Sequence, residues 1–209
     1  MNCTLIVFVK NPVRGKVKTR VAATVGDEKA VEVYVELLNH TKRVIQEWFL
    51  TREESQKKKV VIYYGDFVNR EDVWSNVGFL KKMQPSVPDL GARMKAAFEE
   101  ELNEDAERVV IVGSDCLALC AHHLSHAFSE LQQYDVVIGP ADDGGYYLLG
   151  MKQMYAFLFE NKSWSQPSLL AETLVDAEAH LITVKLGETL SDIDTWEDYL
   201  RESARLPSL

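Results

Sequence analysis

The segment KNPVRGKVKTR (10–20) places five cationic side chains in eleven positions of a chain whose formal net charge is −9. It directly follows the first apolar run, TLIVFV (4–9). The loop after the first strand of an open α/β sheet often binds phosphate. Gly15 lets the backbone approach a ligand closely, and five cations can donate to phosphate oxygens: Lys10, Arg14, Lys16, Lys18 and Arg20. We predict a site for a phosphorylated small molecule, with a solvated basic loop as the alternative.

Two acidic segments contain candidate metal ligands. Asp115 ends the apolar run VVIVGSDC, and the segment SDIDTWEDY places Asp192 and Asp194 two residues apart, so that an extended backbone points both to one side. Mg²⁺ typically binds one or two carboxylates together with substrate phosphates. Asp115 and Asp194 beside the basic loop therefore predict a metal–nucleotide site. Each of these two residues is also a credible helix N-cap.

A third acidic segment, PADDGGYYLLG (140–150), sets Asp142 and Asp143 before two glycines. Such a turn can hold a carboxylate at the mouth of a site while the backbone comes close to a ligand. A plain hairpin turn explains the same residues.

The apolar runs and helical spacings between these segments predict a mostly parallel α/β sheet, because strands and helices alternate. The run at 146–151 follows its predecessor too closely for a crossover helix, so an antiparallel strand is expected there. Residues 51–59 are expected to form a solvated loop, and the length fits a single domain over 1–209. The expected strands are 4–9, 59–64, 108–114, 135–140, 146–151 and 180–186, and the expected helices are 27–48, 91–102, 122–133, 167–179 and one beginning near Trp196.

Composition argues against several classes of protein. A sequence pI of about 5.1 does not suit a nucleic-acid binder. Three cysteines and no visible secretory signal or membrane span favour a reducing cytoplasm. Neither a Walker A loop nor a G-x-G-x-x-G motif is present. One competing hypothesis is zinc binding by a short segment that contains Cys116, Cys120, His122, His123 and His126.

Six segments in this order resemble a bacterial family of GT-A-type nucleotide-diphospho-sugar transferase-like proteins, also called selenodomain-associated transferases. They are FVKNPVRGKVKTR (8–20), QPSVPDLGARMKAAF (84–98), VGSDC (112–116), IGPADDGGYYLLG (138–150), WS (164–165) and DIDTWEDY (192–199). The resemblance spans nearly the whole chain and implies a three-layer α/β/α sandwich with a mixed, mostly parallel sheet. The chain departs from the family pattern at Leu117 and Gln166, where proline and threonine are usual.

The resemblance also implies roles for particular residues. Phosphate binding carries over to Gly15, Lys18 and Arg20, and metal binding carries over to Asp115 and Asp194. The segment at 84–98 is similar to one that lines the base and ribose. Its candidate nucleotide contacts are Gln84, Leu90, Gly91 and Arg93.

A glycosyltransferase is the favoured function, with Mg²⁺ or Mn²⁺ stabilising the departing nucleoside diphosphate and Asp143 activating an acceptor hydroxyl. The expected partners are a nucleotide-sugar donor and a small acceptor. A nucleotidyltransferase acting on a phosphorylated small molecule is the first alternative, in which Lys18 and Arg20 stabilise charge on the phosphates. A non-catalytic protein that binds a nucleotide or zinc is the second.

Overall fold

The computed structural model describes residues 2–51, 57–87 and 89–205, which form a mixed seven-stranded sheet with helices on both faces. The strands are β1 Asn2–Val9, β2 Lys57–Tyr64, β3 Leu80–Met83, β4 Arg108–Val112, β5 Val136–Pro140, β6 Tyr146–Met151 and β7 Val184–Leu186. The helices are α1 Thr19–Val25, α2 Asp27–Leu50, α3 Leu90–Asn103, α4 Ala121–Glu130, α5 Leu169–Ala179 and α6 Trp196–Ser203, with a short 3-10 helix at Ala156–Phe159.

The strand order is β3-β2-β1-β4-β6-β5-β7, and β6 alone among the described strands runs antiparallel to its neighbours. The predicted mixed, mostly parallel sheet is therefore confirmed. The chain moves outward from β1 to β2 and β3, then returns to place β4 on the other side of β1. Ligands in open α/β sheets bind where the strand order reverses in this way. The carboxyl ends of β1 and β4 consequently mark the place for a site.

Two hydrophobic cores lie on opposite faces of the sheet, which gives three layers. On one face, α2 and α4 pack together, and the ring of Trp48 stacks on Phe128 at 4.9 Å between centroids. On the other face, α3 packs Met94 and Phe98 against the sheet beside the 3-10 helix. The strands bury apolar side chains on both faces, which explains why their sequences show little alternation.

Some element boundaries differ from the prediction. The short helix α1 and the edge strand β3, with the sequence LKKM, were not predicted, because neither contains an apolar run of ordinary length. Strand β2 begins at Lys57, so the loop expected over 51–59 is wrong at its last three residues, and 52–56 lie outside the described residues. Strand β7 covers only 184–186 because a turn with Leu181 at φ 56° precedes it.

No helix in the described ranges is both long and apolar enough to cross a membrane.

Candidate functional site

Two adjoining cavities open at the carboxyl ends of β1 and β4. The larger has a volume of about 530 Å³ and the smaller about 250 Å³. The residues shared by both cavities are Phe8, Leu90, Gly113, Asp115 and Ser165. Asp115 therefore lies where an occupant of one cavity would meet an occupant of the other.

The larger cavity brings together most of the residues predicted to bind a nucleotide or a metal. Eight of them line it: Lys10, Lys18, Arg20, Gln84, Leu90, Arg93, Asp115 and Asp194. Lys16 lines it as well. Segments that are far apart in the sequence meet here because each follows the carboxyl end of a strand or begins the helix after it. The cavity thus has five cationic side chains and two carboxylates on its walls.

Lys18 connects three segments of this site. It precedes α1 in the left-handed backbone conformation (φ 46°), and its side chain is 7% exposed. Its Nζ donates a hydrogen bond to the carbonyl of Ile193 at 2.6 Å and lies 2.8 Å from Asp115 Oδ1. The backbone N–H of Ile193 donates to the carbonyl of Asp115 at 2.8 Å. Lys18 and this backbone bond fix the 192–194 segment beside the end of β4.

Asp115 and Asp194 are not helix caps. The caps of α4 and α6 are Cys120 and Thr195, so the alternative interpretation is wrong for both aspartates. Arg20 Nη1 donates to Asp194 Oδ2 at 2.6 Å in an exposed pair. Asp115 Oδ1 is buried and, apart from the ion pair with Lys18, accepts no hydrogen bond from the described residues. A buried carboxylate oxygen with spare acceptor capacity suits a metal ligand.

The basic loop is anchored by polar contacts at its first residues. Asn11 donates from its backbone to Asp66 at 2.9 Å and from Nδ2 to the same carboxylate at 2.8 Å. The backbone N–H of Lys10 donates to the hydroxyl of Tyr34 at 3.0 Å. Burial, followed by the charge of Asp115, raises the pKa of Tyr34 to about 12, so the hydroxyl stays protonated. These bonds hold the loop over the end of β1.

Two predicted residues of this loop lie away from the cavity. Arg14 pairs with Asp27 and Glu28 at the start of α2. Gly15 adopts φ 72° in the turn and lines neither cavity. Its conformation suits a residue that shapes the loop rather than one that contacts a ligand.

The smaller cavity is lined by aromatic and aliphatic side chains and by three carboxylates. Phe8, Tyr146, Tyr147 and Trp164 supply the rings. The carboxylates are Asp115, Asp143 and Asp192, and the lining includes no Lys, Arg or His from the described ranges. Its charge and polarity therefore differ sharply from those of the larger cavity.

Asp143 lies in a tight turn between β5 and β6, and its Oδ1 accepts a hydrogen bond from Gly145 N at 2.8 Å. The neighbouring Asp142 accepts a hydrogen bond from Ser191 Oγ instead. Both interpretations of this segment therefore fit: it is a hairpin turn, and it carries Asp143 into the smaller cavity.

Asp192 lines the smaller cavity, whereas Asp194 lines the larger one. Burial, followed by the charges of Asp115 and Asp143, raises the pKa of Asp192 to about 7. Asp192 was not among the predicted site residues, although its spacing from Asp194 was the available signal. Ile193 between the two aspartates is fully buried, and the aspartates line adjoining cavities.

Asp192 should make the stability of the metal-free protein depend on pH. Between about pH 4, near the ordinary pKa of an aspartate, and about pH 7, the folded protein binds more protons than the unfolded chain. The stability that Asp192 contributes therefore falls as the pH rises through this range. In EDTA, the Asp192→Asn variant should be more stable than the parent by about 1–2 kcal/mol at pH 8, or by several degrees in Tm. At pH 4 the two proteins should differ little in stability. Calorimetry at both pH values, with Asp105→Asn as control, tests this. An equal change in Tm at both pH values would contradict it.

Gly91, in the first turn of α3, also lines neither cavity. A Cβ at this position would lie 2.1 Å from Trp164 Cε2. The Trp164 ring packs edge-on against Tyr146 and is stacked with Phe159, with centroids 6.4 Å apart in each case. Gly91 therefore admits the indole that forms one wall of the smaller cavity, a role that differs from the nucleotide contact predicted for it.

The segment that suggested zinc binding contains no group suited to a metal. Among the described residues, no three His, Cys, Asp or Glu side chains are placed to hold an ion together. Cys116 is buried, and burial raises its pKa to about 12, so it lines the smaller cavity as a neutral thiol. Cys120 and His123 contact each other at the start of α4, and His123 also pairs with Glu188.

Comparison with known proteins identifies the family. A family model described as "Uncharacterized protein conserved in bacteria (DUF2064)" matches residues 50–166, more than half of the chain. The chain belongs to this family. None of the curated proteins compared with it matches.

Solved structures confirm the fold. A protein of Desulfovibrio desulfuricans G20, described as a proposed nucleotide-diphospho-sugar transferase, is 28% identical with a TM-score of 0.81; the match covers 92% of this chain and 82% of that one. The family resemblance and the α/β fold predicted from the sequence are therefore confirmed.

More distant structures share the same architecture. A CMP:2-keto-3-deoxy-manno-octonic acid synthetase complexed with CTP is 10% identical with a TM-score of 0.55, and the match covers 98% of both chains. The Rv0371c protein of Mycobacterium tuberculosis H37Rv, solved with manganese, is 10% identical with a TM-score of 0.53, covering 98% of this chain and 99% of that one. At such identities the likeness concerns the fold alone. The relatives together support a transferase-type fold in general.

Proposed function

We propose that the chain works as a single metal-dependent transferase domain that moves a sugar from a nucleoside-diphosphate sugar to a hydroxyl of a small acceptor. The observation that carries this proposal is the meeting of two chemically different cavities at Asp115. The cationic cavity suits the donor phosphates, and the aromatic, acidic cavity suits an acceptor. The related protein of Desulfovibrio desulfuricans, described as a proposed nucleotide-diphospho-sugar transferase, is consistent with this proposal.

The donor would occupy the larger cavity. Lys10, Lys16 and Lys18 offer ammonium groups to its phosphates, and charge-assisted hydrogen bonds of this kind are strong. Arg93 Nη1 donates to Gln84 Oε1 at 2.9 Å, which orients the amide of Gln84 at the wall of the cavity. A volume of about 530 Å³ lies within the range usual for small-molecule sites.

A divalent cation, Mg²⁺ or Mn²⁺, would be held by Asp115 and Asp194. When bound, it would neutralise the phosphates and stabilise the departing nucleoside diphosphate. The donor set fits, because these ions accept one or two carboxylates together with phosphate oxygens. The Mycobacterium tuberculosis protein, which shares this fold, was solved with manganese. Lys18 and Arg20 now pair with the two aspartates and would be available to the phosphates once the metal is bound.

Glycosyl transfer uses Asp143 as the base. The acceptor oxygen forms a bond to the anomeric carbon while the bond from that carbon to the phosphate oxygen breaks. The electron pair leaves with the nucleoside diphosphate, and the hydroxyl proton passes to the Asp143 carboxylate. Lys18 stabilises the charge that develops on the leaving group.

Asp143→Asn should lower turnover at least 100-fold, since the typical contribution of a general base is about 10²–10⁴. Donor affinity should stay within about twofold, because Asp143 is not on the larger cavity's wall. Asparagine keeps the Oδ1 acceptor for Gly145 N, so the turn should persist. Turnover is measured as the release of UDP from UDP-glucose, or of GDP from GDP-glucose or GDP-mannose. Calorimetry measures the affinity for the donor.

Full turnover by the Asp143→Asn enzyme would show that Asp143 is not the catalytic base. Pyrophosphate release from UTP, GTP or CTP, with no nucleoside diphosphate formed from the sugar conjugates, would favour nucleotidyl transfer. Binding of nucleotide without either product would favour a non-catalytic role. The cytoplasmic location stays a prediction from the cysteine content.

A further inference from the structure

The smaller cavity constrains the chemical class of the acceptor, an inference that rests on the proposed transferase function. Gly113 and Asp115 border both cavities, so a molecule in the smaller one can reach a donor in the larger one. An acceptor must place one nucleophilic oxygen at this junction and the rest of its structure against the aromatic walls. The properties of those walls therefore indicate what the rest of the acceptor is.

Charge distinguishes the two cavities. The cations Lys18 and Arg20 pair with Asp115 and Asp194 on the side of the larger cavity. Asp143 and Asp192 face the smaller cavity, and no Lys, Arg or His of the described chain lines it. A phosphate or carboxylate on the acceptor would meet Asp143 there, while Lys18, whose charge also acts on Asp192, is already paired with Asp115. An anionic group is therefore costly to place in this partly buried site.

The apolar walls favour a ring. Trp164 is held in place by Tyr146, Phe159 and the close approach of Gly91. Leu90 and Met94 of α3 extend the apolar surface. A dry cavity of about 150 Å³ accommodates benzene, so about 250 Å³ accommodates one substituted ring.

We infer that the acceptor is a single-ring compound with a free hydroxyl and with no anionic group such as a phosphate or carboxylate. This excludes the sugar phosphates that a nucleotidyltransferase would require. Aromatic side chains and the apolar face of a ring pack well together, and the hydroxyl then points towards Asp143, which lines the same cavity.

Benzyl alcohol and benzyl phosphate form a matched pair of probes for this inference. With UDP and Mg²⁺ present, we expect benzyl alcohol to change the fluorescence of Trp164 and to bind at least tenfold more tightly than benzyl phosphate. Trp164→Phe should abolish the fluorescence change. Tighter binding of benzyl phosphate, or a fluorescence change with neither probe, would overturn the inference.

Leu90→Lys tests the role of charge directly, since it adds a cation to a residue that lines both cavities. We expect this variant to bind benzyl phosphate at least tenfold better than the parent does. Leu200→Lys, at an exposed leucine of α6, is the matched control and should change nothing. Equal binding of benzyl phosphate by Leu90→Lys and the parent would overturn the charge argument.

The same samples separate the two proposals. Binding of UDP or GDP with Mg²⁺, measured by calorimetry before the probes are added, reports on the donor site. If the nucleotides bind and benzyl phosphate is preferred, the inference about the acceptor fails while the donor site stands. If the nucleotides do not bind, the proposed function itself fails.

Discussion

Replacing Asp115 with asparagine is expected to weaken Mg²⁺-dependent binding of UDP or GDP roughly 100-fold, or about 3 kcal/mol. Among the described residues, Asp115 is the one carboxylate that borders both cavities, and its buried Oδ1 has spare acceptor capacity. Asparagine keeps the size of the side chain but removes the charge that attracts a divalent cation. Calorimetric titration with and without Mg²⁺ measures the effect. Binding in EDTA should change much less.

Asp105→Asn is the matched control for Asp115→Asn. Asp105 lies between α3 and β4, before the amino end of β4, and adopts φ 68°, a conformation that asparagine tolerates well. The Asp105→Asn substitution changes the net charge by the same amount as Asp115→Asn does. Equal Mg²⁺-dependent affinity in Asp115→Asn and Asp105→Asn would exclude Asp115 as a metal ligand.

Gly91→Ala is expected to destabilise the protein by about 2–3 kcal/mol and to disrupt the smaller cavity. Helix propensity alone predicts the opposite sign, because alanine is about 1 kcal/mol better than glycine within a helix. The new Cβ would lie 2.1–2.2 Å from three atoms of the Trp164 indole, so the ring must leave its place between Tyr146 and Phe159. Denaturant unfolding measures the change.

A double-mutant cycle with Trp164→Ala identifies the cause. Once the indole is removed, Gly91→Ala should no longer destabilise and should show the small gain expected from helix propensity. A Gly91→Ala variant that is as stable as the parent, or the same loss in the presence and absence of Trp164, would contradict the proposed packing role.

The main features of the fold could be predicted because the buried strands are apolar on both faces and alternate with amphipathic helices. The runs at β1, β2 and β4 have this pattern, and Lys10 and Asp115 follow two of them at one edge of the sheet. The position of the basic loop beside Asp115 therefore follows from strand order. Strand β3 escaped prediction because its four residues, half of them lysine, form a partly exposed edge.

The detailed site could not be predicted, because it depends on tertiary contacts between distant segments. Nothing local shows that Lys18 reaches Ile193, which lies 175 residues further along the chain. Similarly, nothing local shows that Asp192 and Asp194 line different cavities, because the cavity that each one borders depends on side chains of distant segments. The role of Gly91 depends on the Trp164 side chain, which the sequence indicated only through the family resemblance.

A donor site that binds nucleotide and metal together is tested most directly by thermal shift. The parent protein would be screened with UTP, GTP, CTP, UDP-glucose and GDP-mannose, each with EDTA, Mg²⁺ or Mn²⁺. A ligand that binds only the folded state raises Tm by mass action, by an amount corresponding to about 2.7 kcal/mol at 100 times its Kd. We predict a metal-dependent rise in Tm with a nucleotide sugar. No rise with any nucleotide in either metal would contradict the account.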